Sequence, residues 1–235
     1  MLAIFKRELR SYFTTPIGYI FSAVFLAAAG FIFSMTTLQV QSADVATYYQ
    51  MLMYAYIVII PLLTMKSFAE EKRSRTEQLI LTSPVSLTGM VLGKFFAAFV
   101  MFIGTVALSS VAFIPLGIYG KDPNWAKVIG CTMGIVLIGI CFIAIGLFMS
   151  SLTENQFVAA AGTVGVLCAL VVIAVINGLI NNYYVRLVLD WISIYSRYNN
   201  FAYGIFDFSS ALYYISLCAV FLFLTVRVYE KRRVA

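Results

Sequence analysis

Residues able to do chemistry are scarce in this chain, and the densest group is a charged run. From Glu70 to Glu77 the sequence reads E-E-K-R-S-R-T-E, six charged residues in eight. Carboxylates interleaved with cations suit recognition of another charged surface. Acid–base or nucleophilic catalysis is poorly provided for. Histidine is absent, which removes the commonest general base and metal ligand together, and no Ser/His/Asp set can form without it. Cys131, Cys141, Cys168 and Cys218 lie inside apolar runs with no C-x-x-C spacing, so they read as small packing residues rather than a zinc site or disulfide framework. One string approaches a phosphate loop, Gly89 to Phe95 (GMVLGKF). A P-loop needs G-x-x-x-x-G-K-[ST], so that backbone N–H groups wrap phosphates and a hydroxyl meets magnesium. Here the spacing is one residue short and Phe95 replaces the hydroxyl. Lys94 reads instead as a cation that snorkels to the membrane surface. No cofactor and no metal is expected in this chain; any ATP and Mg must be bound by a partner.

The elements that position the charged run follow from composition. The chain has 235 residues, is 62% apolar and 11% charged, and has a mean hydropathy of +0.95. Soluble domains are about 45–50% apolar and about 25% charged, so this is a membrane protein. The net charge of +6 does not indicate nucleic acid, because the basic residues flank apolar runs rather than forming one stripe.

A membrane-crossing helix needs about 20 apolar residues. Six runs qualify or nearly so: 17–38, 48–65, 87–118, 128–149, 157–180 and 209–228. The first is too long for the apolar core of a secretory signal, so it is read as retained. The expected fold is an all-α integral membrane protein with six spans in a single transmembrane domain, residues 1–235. With the N-terminus in the cytoplasm, the inner segments carry twelve Lys or Arg residues and the outer segments four (Lys121, Lys127, Arg186, Arg197). That bias orients the chain and places both termini in the cytoplasm.

Three segments lie outside the spans. Residues 1–15 form a short helix with Leu2, Phe5, Leu9 and Tyr12 or Phe13 on one face and Lys6, Arg7 and Arg10 elsewhere, suited to lying among lipid headgroups or serving as a plain cytoplasmic anchor. Thr15 and Pro16 read as its boundary with the first span. Residues 181–208 form an outer aromatic loop with Tyr183, Tyr184, Trp191, Tyr195, Tyr198 and Tyr203, from which re-entrant or interfacial helices are expected. Residues 66–84 contain the charged run and read as a cytoplasmic helix. Glu71 and Arg75 are four apart, as are Arg73 and Glu77, so both can pair along it. Pro84 stops it. Gly130-x-x-x-Gly134 and Ala161-x-x-x-Gly165 allow close helix approach, read as internal packing before a dimer seam.

At the charged run the chain resembles the type-2 ABC exporter permeases, particularly the branch that includes gliding-motility permeases. That family carries E-E-[KR]-x-x-G-T-x-E-L-L-x-x-x-P after its second span, then G-K at the start of the third. Glu70, Glu71, Lys72, Thr76, Leu79, Ile80, Pro84, Gly93 and Lys94 match; Arg75 replaces a usual glycine and Gln78 a usual glutamate. The resemblance implies half of a permease dimer, identical or homologous, in which spans two and five line the path. It implies a separate ABC ATPase subunit docking on the helix between spans two and three, the coupling helix. The residues it singles out for docking are Glu70, Glu71, Lys72, Arg73, Arg75, Thr76 and Glu77, with Glu71 and Arg73 first for charged contacts. The chain would then be a non-catalytic export permease of the plasma membrane. Two other functions fit the residues: a membrane anchor that recruits a cytosolic enzyme, and a secondary carrier. No ionisable residue lies in the middle of a span, which disfavours a proton-coupled carrier.

Overall fold

A computed structural model describes residues 1–39, 45–76, 86–113, 125–179 and 183–234. Among these there are helices and no strands. Helix α1 (Leu2–Thr14) precedes α2 (Pro16–Phe33), which runs on into a π-helical turn, Ser34–Leu38. Then come α3 (Val45–Thr64), α4 (Lys66–Arg73), α5 (Leu87–Ser110), α6 (Trp125–Leu152), α7 (Gln156–Leu179), α8 (Tyr183–Ile192), α9 (Ile194–Ala202) and α10 (Phe208–Val234). Six helices are long and apolar enough to cross a membrane: α2 with its π turn, α3, α5, α6, α7 and α10.

Helix α6 is the hub. Helices α3, α10, α7 and α9 pack around it, with α4 and α5 on the same core. Its small residues permit this. A Cβ added at Gly134 would sit 2.8 Å from the Phe201 Cβ and 2.9 Å from the Tyr198 ring. The Gly130–Gly134 pair therefore makes an internal seam with α9, as expected, whereas a Cβ at Gly165 on α7 would meet open space.

Helices α1 and α2 meet at a tight corner. A Cβ at Gly18 would collide with the Tyr12 carbonyl oxygen. Pro16 occupies the first turn of α2, as read from the sequence, and Thr15 has the extended backbone of a cap (φ −98°, ψ 152°). The Thr15 hydroxyl, however, turns back to donate to the Ser11 carbonyl at 2.8 Å and closes α1 instead. Phe5, Leu9 and Tyr12 pack on the core while Leu2 and Phe13 stay exposed.

The segment after span five is helical rather than an ordinary loop. Helices α8 and α9 are joined at Ser193, whose hydroxyl accepts the Ser196 N–H at 3.2 Å. Helix α9 turns inward and buries Ile194, Tyr195, Tyr198 and Phe201. The third span ends at Ser110; the remainder of the long run read there, with Pro115, lies outside the described residues.

Candidate functional site

The charged run begins where α3 ends. Only Met65 separates α3 from α4, and its backbone stays helical (φ −56°, ψ −33°). The described part of the coupling segment is therefore an extension of span two, not a free bar between two spans. The helix break leaves backbone groups that α6 satisfies. The Ser150 hydroxyl accepts from the Phe68 and Ala69 N–H groups at 3.1 and 3.2 Å and donates to the Met65 carbonyl at 3.1 Å. The Lys72 ammonium donates to the Ser151 carbonyl. Ser67, Phe68, Ala69 and Lys72 form the buried face of α4.

Beside this face is a ring of four charges drawn from three helices. Lys94, on α5, is 1% exposed. Its ammonium lies 3.1 Å from the Glu8 carboxylate of α1 and 3.0 Å from the Glu71 carboxylate of α4, and donates to the Ser67 carbonyl at 2.7 Å. All three of its N–H donors have acceptors. Arg7 closes the ring from the rim, 2.7 Å from Glu8 and 2.6 Å from Glu71. The Phe68 ring lies 5.0 Å below the Lys94 ammonium. Two cations and two anions leave no net charge. A cavity of about 320 Å³ sits between α1 and α4, and all four members line it.

Burial alone would raise the Glu8 carboxyl, but Lys94 and Arg7 outweigh that and hold it below its ordinary 4.5. Burial likewise works against the Arg7 charge, and the carboxylates of Glu8 and Glu71 overcome it, so the guanidinium is held above its usual range. Tyr12 supports the ring from α1. Its hydroxyl donates to the Leu63 carbonyl at 3.3 Å, and burial pushes its phenol up to about 12.

The sequence-derived docking residues therefore divide. Arg73, Arg75 and Thr76 are exposed. Glu70 is partly exposed and paired with Lys66 at 3.1 Å. Lys72 is buried against α6, and Glu71 belongs to the ring. Glu77 lies outside the described residues, as do Gln78, Leu79, Ile80 and Pro84. The Glu71–Arg75 pair does not form. Helix α4 ends at Arg73, Ser74 caps it, and Arg75 enters the left-handed region with φ 57°, while Glu71 turns toward Arg7 and Lys94. The Arg75 N–H reaches back to the Lys72 carbonyl at 3.0 Å, a helix-ending bond that glycine makes most readily. Lys94 does not snorkel to water; it is enclosed. Glu8 was missed from the sequence. The available signal was one acid on the packed face of a basic helix, four residues before Tyr12.

The family model described as ABC-2 family transporter protein matches residues 2–234. The chain belongs to this family. No curated protein matches it. As an ABC-2 permease it is a multi-pass membrane component of an ABC transporter, and such domains are distinct from the transporter's ATPases. Glu71 and Lys94, which carried the resemblance, are in direct contact.

Proposed function

We propose that this chain is the transmembrane subunit of an ATP-driven exporter, with its work supplied by a separate ATPase that docks on the open face of α4. Both termini and α4 then lie in the cytoplasm of a cell whose plasma membrane the six helices cross. The twelve-to-four distribution of basic residues supports that orientation. ATP and Mg are bound by the partner. A second permease subunit, identical or homologous, completes the path, as is usual in the family.

The observation that carries this reading is the two-faced character of α4. Its inner face is held by Ser150, Ser151 and the Lys94 ring. Its end presents Arg73, Ser74, Arg75 and Thr76 to solvent. A push on that end is therefore delivered to α5 and α6 directly, and to α1 through two carboxylates sharing one ammonium. Residues 1–15 move with the coupling segment as one body at the inner headgroup layer.

The test separates docking from transmission. Arg73→Glu with Arg75→Glu should abolish co-purification of the ATPase subunit in detergent while the permease remains monodisperse. Glu71→Gln should leave capture largely intact and lower nucleotide-driven transport. Full capture and transport by the Arg73/Arg75 reversal would falsify the docking assignment. Capture without any nucleotide-dependent transport in the wild type would favour the recruiting anchor, and transport without the ATPase the secondary carrier.

A further inference from the structure

The cavity of about 320 Å³ between α1 and α4 is lined by more than the charge ring. Its size is within the range of about 300–1,000 Å³ usual for small-ligand sites. Lys66 and Glu70 add one charge of each sign, so Arg7, Lys66 and Lys94 share the lining with Glu8, Glu70 and Glu71. The depth of the cavity is set by the spans beside it. Thr15 and Ile17 belong to the start of α2, and Lys66 and Ser67 follow closely on the end of α3. Two spans thus meet the amphipathic helix α1 here, which is the level of lipid headgroups.

Three features of the lining select a ligand. Each carboxylate has an oxygen to spare. The four ion pairs of the ring all end on the Oε1 atoms of Glu8 and Glu71, and Lys66 meets Glu70 at Oε2. Among the described residues, Glu8 Oε2, Glu71 Oε2 and Glu70 Oε1 are left without a donor. Two cations have donors to spare as well. Arg7 reaches both carboxylates through Nη2 and keeps Nε and Nη1 of its fork, while Glu70 occupies one of the three N–H groups of Lys66. The Lys66–Glu70 pair is partly exposed and four residues apart on one helix, so it opens easily. Finally, an apolar stripe leads away from the cavity. Ile17 lines it, and Ile20, Val24 and Phe31 continue the same face of α2, all three exposed.

A bare cation in this space would meet three cations, and a bare anion three carboxylates. A zwitterion finds the opposite sign for each of its charges. A primary ammonium matches the spare carboxylate oxygens because it donates three hydrogen bonds. A quaternary ammonium donates none and calls for an aromatic cage, whereas Tyr12 is the one aromatic residue in the lining. We propose that this cavity holds the headgroup of phosphatidylethanolamine. Its ammonium sits among Glu8, Glu70 and Glu71, its phosphate on Arg7 and Lys66, and its acyl chains along the α2 stripe. The lipid bridges α1 and α4, so the composition of the adjoining leaflet sets how firmly residues 1–15 hold the coupling segment. The proposal deepens the permease reading, on which its placement in the inner leaflet rests.

The experiment uses the full chain in phosphatidylcholine nanodiscs, without any ATPase, doped in turn with equal mole fractions of phosphatidylethanolamine, its N,N-dimethyl derivative and phosphatidylglycerol. Native mass spectrometry measures which lipid stays bound as the rest are stripped away. We expect phosphatidylethanolamine to be retained about tenfold over phosphatidylcholine, the worth of one or two net hydrogen bonds, with the dimethyl lipid between them and phosphatidylglycerol no better than phosphatidylcholine. Lys66→Gln with Glu70→Gln removes one charge of each sign outside the ring. It should keep the wild-type Tm in pure phosphatidylcholine and lose most of the preference. The proposal is overturned if the wild type retains the ethanolamine and choline lipids equally, or if it prefers phosphatidylglycerol, which would make the site one for a plain anion. It is equally overturned if the double variant keeps the wild-type preference. Because no ATPase is present, failure here leaves the docking result standing, and failure of ATPase capture leaves this binding result standing.

Discussion

The two ends of the bundle solve the problem of buried polarity in opposite ways. At the end bearing both termini, Lys94, Glu8 and Glu71 are enclosed, Arg7 closes the ring from the exposed rim, and every member has a counter-ion within 3.1 Å. At the other end the enclosed groups are mostly uncharged, and several have no partner: among the described residues, Asn177 Oδ1, Tyr195 Oη and Arg197 Nε lie there, and no atom of the charge ring is in that state. A closed ring of charges fixes helices relative to one another. Open hydroxyls leave room for something else to complete them. The contrast teaches that closed, charge-paired packing is concentrated around the charged run and unsatisfied hydrogen-bonding groups at the opposite end.

The largest test of the comparison is Lys94→Met. It leaves Glu8 and Glu71 facing each other with only Arg7 at the rim, and removing one partner of a buried pair costs about 3–5 kcal/mol. A marked fall in Tm in detergent is expected, with α1 becoming cleavable by trypsin after Arg7 or Arg10. Adding Glu8→Gln and Glu71→Gln should recover much of the Tm, because the uncompensated charge is then gone. At the opposite end, Gly134→Ala forces α9 away from α6 and should cost about 1–3 kcal/mol by overpacking. Its signature is faster hydrogen exchange confined to residues 194–202, with trypsin resistance of α1 unchanged. If instead both ends loosen together, the division between them is wrong.

A smaller effect is expected from pH. The folded Glu8 carboxyl sits below its ordinary 4.5, so its contribution is complete above that value and disappears as pH falls through the lower folded value. Acid should release α1 below pH 4.5 in the wild type, and Glu8→Gln should lack that step. The smallest change is Arg75→Gly. A non-glycine residue at φ 57° is strained, so glycine should raise stability by about 0.5–1 kcal/mol and leave the opposite end untouched.

Much of the fold was legible because the signals are local. Long apolar runs gave the six helices, and the Thr15–Pro16 boundary fell where the residue types placed it. The ring was not legible. Spacing rules look three or four residues along a helix, and so assigned Glu71 to Arg75, whereas its partners Arg7 and Lys94 are on other helices. Lys94 was read as a snorkelling cation for the same reason: nothing near it in the chain announces Glu8. Arg75 was visible as a departure from a family glycine, but only the backbone dihedral shows that the departure falls at a left-handed position. The inward turn of α9 was hidden by its tyrosines, which suit a membrane interface and a buried polar pocket equally well.

The position of Lys94 in the chain has a consequence for biogenesis. Both carboxylates that neutralise it, Glu8 and Glu71, precede it. A chain made from its N-terminus has already synthesised those counter-ions when the third membrane segment leaves the ribosome. The lone ammonium of that segment is therefore never made before the two acids that neutralise it in the folded protein.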